Sequence, residues 1–161
     1  MSDKLSILDA KRADVAFIAD SNAAMAWETE QKTLDRGLLV QGIEAVFENP
    51  ARGFYLMAER DGRAVGCLLV TYEWSDWRNG DWWWLQSVYV EPSARRSGAF
   101  RQMYAEVERR SVDAGAAGLR LYVETDNLRA QTTYRALGMT RARYELFEIE
   151  RSATAPAPVP P

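Results

Sequence analysis

The sequence contains no histidine. That removes Ser-His-Asp and Cys-His nucleophilic systems and the common His-based metal sites. With no clustered set of other ligands either, no metal is expected. Any base must be Asp, Glu, Tyr, Lys, the lone cysteine Cys67 or a water. A single cysteine also excludes an internal disulfide. No apolar run approaches the roughly 20 residues needed to span a bilayer. The start, Met1-Ser2-Asp3-Lys4, lacks the charged-then-apolar order of a signal peptide. Together these absences point to a reducing cytoplasm and to no membrane partner. An excess of positive charge is missing too. The net charge is −3, which argues against nucleic acid, because phosphate binding usually shows as a strongly basic domain. It leaves a cationic small molecule or a peptide amine open. Chemistry that only needs a proton moved off an ammonium fits this inventory.

What is present is ordinary globular material. The 161 residues, 47% hydrophobic and 27% charged, suffice for one domain with a real core. Residues 1–150 read as that domain. The tail over 151–161 is Pro/Ala-rich, has nothing to bury and reads as disordered. Weak alternation over 4–8 predicts a short strand. Helical spacing predicts a helix over 12–28, with Val15, Ile18, Ala19, Asn22, Met25 and Ala26 on one face. A second helix is expected over 34–48, with Leu38, Leu39, Gly42, Ile43, Val46 and Phe47 inward, stopped before Pro50. Strands are expected over 53–60 and 63–74, joined by Asp61-Gly62, a type I′ hairpin signal. Further strands follow over 82–90, 119–125 and 141–150. Helices are expected over 98–114 and 127–137, stopped by Gly115 and Gly138. The order β-α-α-β-β-β-α-β-α-β is an α+β arrangement on one mixed sheet.

Two segments carry chemistry. In the first, the strand ending Val88-Tyr89-Val90 runs through Glu91-Pro92 into Arg95-Arg96-Ser97-Gly98-Ala99-Phe100-Arg101 and a helix. A helix N-terminus offers backbone N–H groups and a positive dipole end, so it can receive an anion. Gly98 permits close approach, and Arg95, Arg96 and Arg101 add positive charge. The same residues would also serve as a plain solvated arginine cluster. The second segment follows the 119–125 strand: Asn127-x-x-Ala130, Tyr134 and Leu137-Gly138-Met139. Taken alone, Asn127 is an N-cap and Tyr134 a core residue.

In order and spacing, these two segments resemble the GNAT acyltransferase superfamily. The resemblance covers the elements from about Leu5 to Glu150 and is sharpest from Trp82 to Met139. It implies a three-layer GNAT-like fold, with a central mixed, mostly antiparallel sheet of six to seven strands flanked by helices. It implies acetyl-CoA as cosubstrate and an amine as acceptor, a small molecule more than a protein, acetylated directly without a covalent enzyme intermediate. Residue by residue, the backbone of Val88, Tyr89 and Val90 resembles the strand that pairs with the pantetheine arm. That strand would splay from the 119–125 strand to open a slot for the thioester. Arg95, Arg96, Ser97, Gly98, Ala99, Phe100 and Arg101 resemble the pyrophosphate loop. Asn127 would bind the pantetheine or the thioester end, and Tyr134 would protonate the leaving thiolate.

The chain departs from the family pattern at Phe100, where a small residue is usual, and at Arg96, where glycine is common. Backbone amides survive either change if Phe100 points into the core. No general base carries over: where histone-modifying relatives place a carboxylate, this chain has Trp84. The candidate carboxylates are Glu28, at the end of the first helix, and Glu73, at the end of a strand beside the expected cleft. Both also read as plain surface groups. Trp27, Trp84 and the tryptophans around them would serve as hairpin packing, or as an aromatic acceptor pocket holding a cation by cation–π contact. An exposed part of that cluster leaves a homodimer contact open. Cys67 reads as a buried strand residue. The alternative to an enzyme is a noncatalytic acetyl-CoA-binding or sensing module.

Overall fold

The computed structural model describes residues 4–151. The chain divides into two compact units, the first ending at Tyr122 and the second beginning at Val123. The first contains β1 (Leu5–Asp9), α1 (Val15–Glu30), α2 (Arg36–Glu48), β2 (Gly53–Arg60), β3 (Arg63–Ser75), β4 (Gly80–Val90), α3 (Ala99–Asp113) and β5 (Gly118–Leu121). The second contains α4 (Leu128–Ala136).

The sheet runs β1-β2-β3-β4-β5 in space. The first four strands pair antiparallel, and β5 adds to β4 in parallel. The β2–β3 turn follows the expected chemistry: Asp61 and Gly62 both sit at positive φ, 51° and 79°, as a type I′ turn requires. The α2 start is fixed by Asp35, whose side chain accepts the Leu38 N–H at 2.7 Å, and Asn49 before Pro50 is extended.

Strand alternation sorts the core into two layers. Tyr55, Met57 and Cys67 face Ile18, Ala19 and Ile43 of α1 and α2, with Leu69 and Tyr89 packed beside them. Leu56, Leu68, Val70 and Leu85 lie at the alternate, buried positions. The helix α3 contacts all five strands and buries Ala99, Met103, Tyr104 and Val107. Arg110 joins α3 to the sheet edge. Its guanidinium donates to Asp9 at 2.6 Å and to Glu106 at 2.7 Å, and lies 5.5 Å from the Phe54 ring centre.

Hydrogen bonds from Arg109 and Arg110 pull the Glu106 carboxyl down to about 2. A depressed carboxylate stabilises the fold above its unfolded value, and that contribution is lost as pH falls through the folded value. Glu106→Gln should therefore be less stable than the parent at neutral pH. Urea midpoints of the two proteins should converge as pH falls from 4.5 toward about 2. A constant gap across that window would mean the ion pairs do not act through this proton.

The structure corrects the expected sheet. Among the described residues it has five strands, not six to seven. Residues 141–150 form neither strand nor helix and are exposed. Tyr144, Leu146, Phe147 and Ile149 are all exposed there. A strand exists only through a partner edge, which a sequence cannot display. The fifth strand is also shorter than the expected 119–125. It pairs only as far as Leu85↔Leu121, where β4 bulges. The register jumps from Leu69↔Ser87 to Val70↔Leu85, so Gln86 is an extra residue that bends its strand. The tail from Ser152 lies outside the described residues.

Candidate functional site

The bulge determines where β4 becomes available. Up to Leu85 it is paired on both edges; Ser87, Val88, Tyr89 and Val90 pair only with β3. A one-edged strand presents backbone N–H and C=O groups that an extended ligand can use. This is the stretch in which the sequence places a pantetheine contact.

Beyond Val90 the backbone turns sharply into α3. A short turn over Pro92–Ala94 is followed by Arg95 in an extended conformation. Arg96 then adopts φ 62° and Gly98 φ 87°. Gly98 is the α3 N-cap and no side chain caps the helix. A Cβ built on Gly98 would meet nothing within 4 Å. The loop therefore leads into the N-terminus of a 15-residue helix with open space above its glycine. The left-handed Arg96 occupies the position expected to favour glycine, at a strain cost typical of non-glycine residues there. The resulting concavity suits an anion.

The loop side chains divide. Arg96 and Arg101 are exposed and form no ion pair among the described residues. Arg95 is turned the other way: it donates to the Val90 carbonyl at 3.0 Å and to Glu28 at 2.6 Å. Its guanidinium lies 5.9 Å from the Tyr89 ring centre. Arg95 thus ties the loop to β4 and to the end of α1. Ser97 donates to the Ala94 carbonyl. The residue of the loop that sinks into the core is Ala99, 2% exposed; Phe100 stays half-buried beside Tyr104, with ring centres 6.2 Å apart.

Glu73 is bound by its neighbours. One oxygen, Oε2, accepts from Trp84 Nε1 at 2.7 Å and from Arg120 at 2.9 Å. The Trp84 hydrogen bond is the main reason its carboxyl lies below the usual range. That makes Glu73 a weaker base. Arg120 and Arg78 also lie over the Trp82 ring, at 3.9 and 4.9 Å. The chain's own arginines thus take the cation–π positions there, and Trp84 stacks on Tyr122 at 4.5 Å. Trp27 remains exposed at the end of α1.

In the second unit, Asn127 caps α4 by accepting the Ala130 N–H at 3.1 Å through Oδ1. Its side-chain nitrogen is the end that can still donate outward. Tyr134 is half-buried on α4. Burial raises its phenol above the usual tyrosine range, which favours the protonated hydroxyl. Among the described residues no group of three or more acidic or sulfur ligands could hold a metal ion. No helix there is long and apolar enough to cross a membrane.

The family model of the Acetyltransferase (GNAT) family matches residues 16–139. The chain belongs to the GNAT family. This GNAT protein is 37% identical to a possible acetyltransferase from Clostridium difficile 630, with a TM-score of 0.85 over 92% of this chain and 98% of that one. It is 32% identical over 131 residues to the mycothiol acetyltransferase of Pseudarthrobacter chlorophenolicus, covering 78% of this chain and 39% of the relative. The mycothiol acetyltransferase of Corynebacterium aurimucosum is 28% identical, over 82% of this chain and 44% of its own length. The chain therefore spans less than half the length of these curated relatives. The aminoglycoside N-acetyltransferase AAC(6')-Iy, solved with CoA, shares the fold at 17% identity and a TM-score of 0.77, over 94% of this chain and 98% of that one.

Two features of the candidate site were not legible in the sequence. The bulge at Gln86 has no residue marker, because any side chain fits the extra position. The engagement of Arg95 with Glu28, 67 positions away, is a tertiary event.

Proposed function

We propose that this protein transfers the acetyl group of acetyl-CoA directly to a primary amine. The observation that carries the reading is the loop at Arg96–Gly98 running into α3, beside a β4 segment with one unpaired edge. Acetyl-CoA has the matching two parts, a pyrophosphate and an extended amide-bearing arm, and open space at Gly98 fits the first. The amides at the α3 start and the exposed Arg96 and Arg101 would hold the phosphates. The backbone of Val88, Tyr89 and Val90 would pair with the arm, and Asn127 would donate to it.

In the reaction, the neutral amine nitrogen attacks the thioester carbonyl, a C–N bond forms, and the C–S bond breaks. The nitrogen loses one proton, and the departing thiolate gains one, assigned here to Tyr134. Glu73, held low by Trp84, and Glu28, paired with Arg95, are poor candidates for the amine's base. Water or an amine already deprotonated fills that role. Positioning supplies most of the acceleration in such a scheme.

The test is thiol release from acetyl-CoA across a panel of amines, run with and without chelator. Acetylated product should appear with at least one amine, and chelation should leave the rate unchanged. Loss of activity on chelation with restoration by one metal would overturn the mechanism. The constrained state of both carboxylates favours one other reading, a noncatalytic acetyl-CoA-binding module. It predicts cofactor binding with no thiol release for any amine.

A further inference from the structure

An open groove with a volume of about 330 Å³ lies between α1, α2 and the strand face below them, its rim at Leu38 and Gly42 exposed. Cavities of about 300–1,000 Å³ are the size that receives small organic ligands. Its wall is largely apolar: Leu38, Leu39, Ile43, Val46, Tyr55 and Leu69. Gly42 faces it from the middle of α2, and a Cβ there would meet nothing within 4 Å. Glycine is a poor choice inside a helix unless the space matters. Ser87, the residue just after the β4 bulge, also lines the cavity. The cavity thus reaches the start of the strand segment assigned to the cofactor arm.

One wall group is unsatisfied. The Oδ1 of Asn22 is shut off from solvent and accepts no hydrogen bond. A buried carboxamide oxygen without a donor is costly. Asn22 lines the groove and the last torsion of asparagine is broad and two-fold, so its carboxamide can turn to meet a ligand N–H or O–H entering there. The acidic inventory is meagre by contrast. Asp35 is the only carboxylate on the wall, and its Oδ1 is committed to the α2 cap.

We propose that this cavity seats the acceptor, and that the acceptor is a primary amine with an aliphatic or aromatic body and one hydrogen-bond donor for Asn22. The proposal rests on the transferase reading above and names its substrate class. An apolar wall also disfavours the charged ammonium. It therefore helps deliver the neutral amine that attack requires, where Glu73 and Glu28 are otherwise engaged. A polyamine, carrying several charges, would find one carboxylate and a wall of leucines.

The experiment measures calorimetric binding of leucinamide, isopentylamine and spermidine to the full chain, with CoA affinity measured beside them. Leucinamide should bind the parent at least tenfold tighter than spermidine, because desolvating each unpaired charge is costly. Gly42→Leu fills the open space and should weaken leucinamide by about tenfold or more, as expected for loss of an apolar pocket. Its CoA affinity should be unchanged, which also certifies its fold. Asn22→Leu should weaken leucinamide several-fold more than isopentylamine, which lacks the amide. Equal leucinamide binding in parent and Gly42→Leu, spermidine binding as tight as leucinamide, or no binding by any of the three overturns the assignment. Thiol release in the same samples separates the two ideas. Leucinamide bound with no thiol release from any amine of the panel sinks the transferase reading, and with it the acceptor role of the cavity; leucinamide bound but silent while other amines release thiol sinks the cavity assignment alone. Release with spermidine alone sinks the cavity assignment and leaves the transferase.

Discussion

Tyr134→Phe lowers kcat by about 10²–10⁴-fold while CoA affinity stays near the parent's, the range typical of a positioned proton donor. The ring is kept and only the hydroxyl goes, so α4 packing should be little disturbed. Burial raises this phenol above the usual tyrosine range, which favours the protonated form that can donate. An interaction made mainly in the transition state lowers kcat and kcat/KM together. Steady-state kinetics with the best amine, beside calorimetry with CoA, reads both. An unchanged kcat, with chemistry shown to limit turnover by a single-turnover burst test, makes Tyr134 a packing residue. A fall in CoA affinity as large as the fall in kcat/KM makes it a binding residue.

Gly98→Glu abolishes stabilisation by acetyl-CoA. Parent protein should melt higher with the ligand, since a ligand that binds only the folded state stabilises it by about 2.7 kcal/mol at one hundred times its Kd. At φ 87° a glutamate is strained, and its carboxylate enters the space where phosphate would approach the α3 amides. Like charge and bulk together should cost at least about 100-fold in affinity, a few kcal/mol of lost charge-assisted hydrogen bonding. Gly98→Asn is the control. Asparagine tolerates the left-handed region and adds no charge, so it should retain most of the thermal shift. Equal shifts in the parent and in Gly98→Glu would remove this loop from the site. A shift lost in both variants would mean that backbone conformation, not charge, is at stake.

The sequence was most informative where the physics is local. The two positive φ angles of the Asp61-Gly62 hairpin, the break before Pro50 and the Asn127 cap all follow from turn and cap chemistry within a few residues. The helical faces are legible in part: Ile18 and Ala19 of α1 and Ile43 of α2 are buried, whereas Leu38 and Gly42, expected inward, are exposed. The pairing of ordered motifs likewise suffices for the family, because Val90-Glu91-Pro92 through Gly98 and Asn127 through Met139 sit in one order and spacing.

Tertiary structure decided what depends on partners distant in the chain. Residues 141–150 look like a strand, but a strand needs an edge to pair with, and no five-residue window says whether one is free. Arg95 looks like one more phosphate ligand until Glu28 reaches it through an ion pair across 67 positions. Glu73 looks like a free carboxylate until Trp84 and Arg120 converge on one of its oxygens and weaken it as a base. Trp82 looks open to a cationic ligand until two of the chain's own guanidiniums cover its ring. The sequence by itself determined the elements as far as α4, the hairpin turn and the family, since backbone propensity and motif spacing act over short range. The tertiary structure decided which charges are already spoken for and where β4 leaves its neighbour, because electrostatics and sheet pairing act between residues that only folding brings together.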